Sequence, residues 1–391
     1  MAIMNRVRRL RRDQSGMTYV FIGMGMMAFL SATMLAIDVG MLMTARNQAQ
    51  NSADSGALAG ATALVFDSYD DRSATGPAVT NARSAATLNQ VMAGNVSVNV
   101  ADVTFPTDPS GEPNRVMVTV RRTASRGNAV SNLIAGYFGM PTTDIGAVAT
   151  AEASLANAAT CVKPWAIPDK WREVQNPDWD ETDDYDIFQR NGQQVTGTPL
   201  GNPDVYNGPT SPDYTGFRSN RTGPDYGRQI TLKHGNPNAA ISASHFYPIS
   251  LPGGEGGAYY EENIGSCWPG VLEIGQRVPV EPGNMTGPTD QGTQVLINRD
   301  PAAYWNDAER RVISTYGRSP RIIVIPAFDP DEYERSRTHG NVDIVVSNLL
   351  AFFVENMNGP DVVGRLVPFT GLRRGNGAPS GAFLRNIRLV Q

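Results

Sequence analysis

Apolar and polar positions along the chain change character in sequence, and the first stretch sets the frame. From Met17 to Ile37 there is no charged residue. At ~1.5 Å per residue, about 21 residues make a helix of roughly 30 Å, the thickness of a bilayer's hydrocarbon core. This predicts a membrane-spanning anchor. Within and just past it, Ala28, Ala32, Ala36 and Gly40 recur every fourth residue. Small residues at that spacing leave a groove in which a second helix backbone approaches closely. Asp38 ends the uncharged run, and its expected environment is interfacial water, a position that also permits contact with a partner protein.

Helical spacing continues beyond the span. Ala45, Ala49, Ser52, Ala53, Gly56, Ala57 and Gly60 follow three-and-four periodicity and form a seam of very small side chains. Such a seam offers little apolar area, so it suits tight docking on a partner or a sheet rather than exposure. The pattern therefore predicts one long helix, half in the membrane and half beyond it, with its lower half packed on the domain that follows.

Shorter patterns come next. An amphipathic helix is expected from Thr80 to Gly94, stopped by Gly94 and Asn95. Val96, Val98 and Val100 alternate with polar residues, as do Val116, Val118 and Val120, and the turn residues Pro106 to Gly111 lie between them. That reads as a long hairpin. A small helix from Ser131 to Met140 and a strand from Ile145 to Ala153 complete a helix-on-sheet module. After Cys161, strands are expected at Gln229 to Lys233, Phe246 to Leu251, Arg321 to Ala327, Val342 to Val354, Val362 to Phe369 and Phe383 to Val390. One helix is expected between Thr289 and Asn298. The stretch Thr196 to Gly227 is rich in Gly, Pro, Asn, Asp and Tyr. It should be a loop, ordered by its tyrosines or not at all.

Charge orients the chain. Arg6, Arg8, Arg9, Arg11 and Arg12 precede the span, and Arg46 is the only basic residue between it and Arg72. Basic flanks stay in the cytoplasm, so everything after Met43 is expected to be exported, placing the chain in a bacterial inner membrane as a single pass with a periplasmic body. Two processing alternatives stand beside an uncleaved anchor. A secretory signal has a shorter apolar core than this one. A prepilin leader would be cut after Gly16, but the glutamate usual five residues past the cut is here Phe21. The net charge of -5 argues against a nucleic-acid surface. Cys161 and Cys267 both fall on the exported side, where an intrachain disulfide is the expected state.

Chemistry is sparse. The three histidines, His234, His245 and His339, show no His-Glu-x-x-His pair and no zinc spacing with cysteine. There is no Gly-x-Ser-x-Gly elbow and no phosphate-cradling Gly-x-x-x-x-Gly-Lys loop. Asp178, Asp180, Asp184 and Asp186 alternate as calcium ligands do, yet the sixth loop position is Asp183 instead of glycine and the twelfth is Gln189. A solvated acidic loop is the competing reading. Trp165, Trp171, Trp179 and Trp268 offer either a sugar platform or core filler, and large aromatics near a disulfide favour the core. No catalytic residue and no cofactor is expected.

The string RRDQSGMTYVFIGMGMMAFLSATMLAIDVGMLMTARNQAQNSADSGALAGATAL, residues 11–64, resembles the N-terminal segment of TadG-like proteins of the tight-adherence (Flp) pilus assembly system. The likeness lies in the basic start and Gly16, the apolar span ending in Asp38-Val39-Gly40, and the run from Arg46 to Ala61 with Asp54 and Ala57-Leu58-Ala59-Gly60-Ala61. Further likeness to such proteins, at Cys161 to Trp171 and Asn284 to Thr289, names no activity. Larger TadG proteins resemble a von Willebrand A domain with an Asp-x-Ser-x-Ser metal motif. Here Asp108-Pro109-Ser110-Gly111-Glu112 lacks the last serine, so that metal chemistry is not carried over.

The resemblance implies a non-enzymatic, membrane-anchored component of pilus assembly, whose partners are other pilus or secretion proteins. Its helix-packing interface would be Ala28, Ala32, Ala36, Gly40, Ala49, Ala53 and Ala57, open to homo- or hetero-oligomers. The alternative is a membrane-tethered glycan- or peptidoglycan-binding, or hydrolytic, envelope protein. The expected fold is α+β, with a basic start (1–16), an anchor (17–43), a pilin-like helix and sheet module (44–158) and a β-rich module with long loops (159–391).

Overall fold

The computed structural model describes residues 15–390 apart from 176–178, 193, 220–222, 238, 284, 338–342, 376–380 and 382. Residues 1–14 of the basic start, Asp178, Asn284 and His339 therefore lie outside the described residues. The fold is α+β: a long apolar N-terminal helix, a helix packed on a sheet, and a β-rich remainder. Its chain divides into two compact units. The first comprises Met1–Ala61, Arg72–Ala151 and Leu389–Gln391, and the second Thr62–Asp71 and Glu152–Arg388.

In the first unit, α1 (Ser15–Phe66) is one continuous helix through Ala61, its last residues belonging to the second unit. Against its lower half packs α2 (Pro77–Leu88), which starts on a proline and buries Ala78, Val79, Ala82 and Ala86. Proline is well placed there, because a first-turn N–H has no helical acceptor. Strands β1 (Val103–Thr104) and β2 (Arg115–Arg122) are antiparallel, with Val103 opposite Val118. Val116, Val118 and Val120 of β2 are fully buried, so the alternation read in the sequence is the core face of this strand. The partner strand is shorter than the alternation of Val96, Val98 and Val100 implied. Val100–Asp102 instead forms a 3-10 turn, because the Asp102 carboxylate accepts the Asn99 N–H at 2.8 Å and pairs with the Arg126 guanidinium at 2.7 Å. The helix expected from Ser131 to Met140 is a single 3-10 turn, Ala135–Phe138. Strand β3 (Ile145–Leu155) begins in the first unit and ends in the second.

The second unit is built on a closed ring of strands. Its members are β4 (Trp165–Pro168), β5 (Gln229–His234), β6 (His245–Pro248), β7 (Arg277–Pro279), β8 (Ile322–Phe328), β9 (Asp343–Asn358) and β10 (Asp361–Leu366). The order is β7-β9-β8-β4-β6-β5-β10, and β10 also pairs with β9, which closes six strands into a barrel. The 16-residue β9 makes this possible: Phe352 and Phe353 pair with Ile323 and Ile322 on one edge and with Leu366 and Arg365 on the other. Closure removes the unpaired edges that an open sheet of this size would expose. Trp165, Phe246, Tyr247, Phe328, Phe352 and Phe353 fill the core. Helices α3 (Gly257–Gly265), α4 (Thr286–Asn298) and α5 (Pro330–Arg337) complete the unit.

Candidate functional site

The helix α1 carries the residues that the sequence singles out, and the structure divides them into two groups. Ala28, Ala32, Ala36 and Gly40 are exposed, and a Cβ built on Gly40 meets nothing within 4 Å. Around them Tyr19, Phe21, Ile22, Phe29, Leu30 and Leu35 are also exposed. The most apolar stretch of this helix is covered by nothing else in the chain, and the helix is long and apolar enough to cross a membrane.

Ala49, Ala53 and Ala57 are buried, as are Ala45 and Ala61. Their occupant is the chain itself. A Cβ on Gly56 would lie 2.9 Å from the Ala82 carbonyl oxygen and 2.9 Å from Ala86 Cβ; one on Gly60 would lie 2.7 Å from Val116 Cγ1. Only hydrogen fits at these two positions, so α1, α2 and β2 are in direct backbone-scale contact. Polar residues finish the joint. Ser52 Oγ donates to the Ala86 carbonyl at 2.6 Å, Gln48 Oε1 accepts the Met92 N–H at 2.7 Å, and Gln50 Nε2 donates both to Asp54 at 2.8 Å and to the Val148 carbonyl at 3.2 Å. The ordered polar residues of the Arg46 to Ala61 run therefore tie the helix to its own domain.

Asp38, between Ala36 and Gly40 near the end of the exposed ridge, is buried and not out in interfacial water. Its carboxylate accepts the backbone N–H groups of Leu133 at 3.0 Å, Ile134 at 3.1 Å and Ala135 at 2.6 Å. Three converging N–H donors at the start of a 3-10 turn make a ready anion seat, here filled from the same chain.

With this geometry in place, residues 16–63 match the family model Tad, described as "Putative Flp pilus-assembly TadE/G-like". The N-terminal segment is a Tad segment. Its matched range covers the exposed ridge, Asp38 and the whole buried seam from Ala45 to Ala61, and it links the chain to Flp pilus assembly. No curated protein and no solved structure matches the chain.

Outside the Tad segment, Cys161 and Cys267 form a disulfide across 106 residues of sequence. Beside it Lys163 is buried and donates to the Asn263 carbonyl at 3.0 Å and to that of Ser266. Burial, helped by the nearby Arg299, brings its pKa down to about 7. Among the described residues no three His, Cys, Asp or Glu side chains converge to hold a metal. Asp180 accepts from Thr182 at 2.7 Å, and Asp186 pairs with Arg190 at 2.6 Å. Asp184 forms a bridge with Ser242, while Asp178 is not among the described residues. Trp165, Trp171 and Trp268 are buried, and half-buried Trp179 packs edge-on against Trp171 with centroids 6.1 Å apart. They are core. The His234 ring packs at a tilt against Phe246, centroids 4.5 Å apart, and burial lowers the pKa of both His234 and His245.

Two features escape the sequence. Asp169, completely buried, accepts from the hydroxyls of Tyr206 at 3.0 Å and Tyr214 at 2.7 Å, and from the N–H groups of Phe217 at 2.9 Å and Lys170 at 3.0 Å. Burial pushes its carboxyl up to about 6, against the pull of those four donors. The second is a groove of about 700 Å³ in the second unit, lined by Tyr226, Trp305, Tyr316, Arg311 and Arg318 among others. The signal for the first was present in the tyrosine-rich loop, but its carboxylate partner lies 37 and 45 residues upstream.

Proposed function

We propose that this chain is a non-enzymatic, single-pass component of Flp pilus assembly, anchored in the bacterial inner membrane by α1 with its body in the periplasm. The observation that carries the reading is the contrast within the Tad segment. Its lower seam is filled by the chain's own α2 and β2, while the ridge Ala28, Ala32, Ala36, Gly40 is exposed. In lipid there is no hydrophobic drive between helices, and small residues in register supply the close packing that brings helices together. A second helix from another pilus or secretion protein, or from a second copy, fits that ridge. Ala36→Leu should remove surface pili while leaving the protein inserted and abundant. Wild-type piliation in both Ala36→Leu and a deletion strain would defeat the proposal. Reporter fusions placed after Met43 should be active only in the periplasm.

The groove in the second unit favours one competing reading, a membrane-tethered glycan or peptidoglycan binder. Tyr226 and Trp305 lie 6.0 Å apart beside Arg311 and Arg318, and aromatic faces with polar neighbours suit sugar rings. Binding of the purified protein to peptidoglycan sacculi, lost in Trp305→Ala, would favour this reading.

A further inference from the structure

We propose that the segment from Asn132 to Pro141 is a second membrane contact, seated in the lipid interface where α1 leaves the bilayer. This rests on the reading that α1 spans the membrane. The N–H groups of Leu133, Ile134 and Ala135 lie 2.6 to 3.2 Å from the Asp38 carboxylate. Asp38 is the first residue after the uncharged span. The backbone of this segment is therefore pinned at the depth where the span ends.

Its shape and composition fit that depth. From Asn128 to Thr143 there is no charged residue. Strands Val130–Ser131 and Thr142–Thr143 pair at its base. The Asn132 side chain donates to the Met140 carbonyl at 2.9 Å, and the Met140 N–H bonds Ala135 at 3.0 Å. The tip is thus internally braced, yet Leu133 is 58% exposed, Tyr137 89% and Met140 60%. Three large apolar side chains on one uncharged tip are poorly suited to water. At an interface, tyrosine sits at the headgroup level and leucine and methionine reach the acyl boundary. With no basic residue on the tip, insertion should not depend on anionic lipid.

The test uses the full chain with one added cysteine labelled by a fluorophore, the native pair being closed in its disulfide. Tyr137→Cys reports on the tip, Phe29→Cys on the span and Val148→Cys on the body. The Val148 carbonyl is held by Gln50, ~18 Å further along α1 than Asp38. Vesicles of phosphatidylcholine, and of phosphatidylethanolamine with phosphatidylglycerol, carry lipids spin-labelled near the headgroup or deep in the chain. The shallow quencher should act about threefold more strongly on the Tyr137 label than on the Val148 label in both vesicle types. Deep quenching at Phe29 with none at Tyr137 would overturn the proposal and leave the anchor intact. Absence of quenching at Phe29 would instead overturn the anchor, and the proposal with it. A Tyr137 label that is dark to lipid quenchers but crosslinks to another protein in cells would reassign the tip to protein docking.

Discussion

The two halves of α1 share one sequence pattern and have opposite surroundings. Up to Gly40, small residues at every fourth position stand exposed among large apolar ones. Below it, the same spacing is buried against α2 and β2, so closely that Gly56 and Gly60 leave no room for a methyl group. Small-residue periodicity by itself therefore says that something packs there, and not what. The identity of the occupant depends on whether the chain supplies one, and here it does so for only one half. The lower half is a folding element, and the upper half is where binding chemistry remains available.

This contrast is sharpest where steric room is least. Gly60→Leu places several atoms where a Cβ already stands 2.7 Å from Val116, so it should cost about 3 kcal/mol or more and leave little folded protein. Limited proteolysis of membranes checks it. A protease-resistant variant at wild-type abundance would mean that α2 and β2 are not the true occupants of the seam.

Asp169 in the second unit provides a control away from the seam. The unfolded chain releases this proton in the ordinary carboxylate range and the folded chain near about 6, so between those values the folded state binds more protons and stability falls as pH rises. The loss should be on the order of 2 kcal/mol between pH ~4 and ~6, and Asp169→Asn should flatten it. Urea midpoints at several pH values measure the difference, and equal slopes in the two proteins would sink the assignment. Below these in size is Ser52→Ala, which removes the 2.6 Å bond to Ala86 without adding bulk. It should lower stability by ~1 kcal/mol, read as a shift in the same midpoint. A Ser52→Ala midpoint equal to wild type would show that shape alone holds the seam.

Much of this was legible from periodicity. A charge-free run followed by three-and-four spacing gave α1, and runs of β-branched and aromatic residues gave the strands at Ile322–Phe328 and Asp343–Asn358. What was not legible depends on partners distant in sequence. Strand β4 has four residues, ends in proline and runs parallel to β8, so no alternation betrays it and ring closure is invisible. Helix α3 is bounded by Gly257 and Gly265 and rich in tyrosine. Burial of Tyr260 and Ile264 holds it in place, a tertiary effect that overrides poor propensity. Val96, Val98 and Val100 misled because alternation marks side-chain facing and is silent on what the backbone pairs with. Asp38 was placed correctly along the chain and wrongly in its surroundings, since its three donors arrive from 95 to 97 residues away.

The smallest expected stability change belongs to the exposed half of α1, and for that reason it decides most. Ala32 is exposed, so Ala32→Leu disturbs no packing within the chain and its unfolding midpoint should stay within ~0.5 kcal/mol of wild type. Its counterpart Ala53→Leu, at a fully buried site, should cost 1 to 3 kcal/mol, here about the middle of that range. In membranes the order reverses: Ala32→Leu should abolish crosslinks between α1 and a partner helix, because a leucine holds the two backbones apart, whereas whatever Ala53→Leu protein survives should crosslink normally. Crosslinking that persists in Ala32→Leu, with pili intact, would mean that the partner helix meets α1 on another face and that the exposed ridge is not the contact.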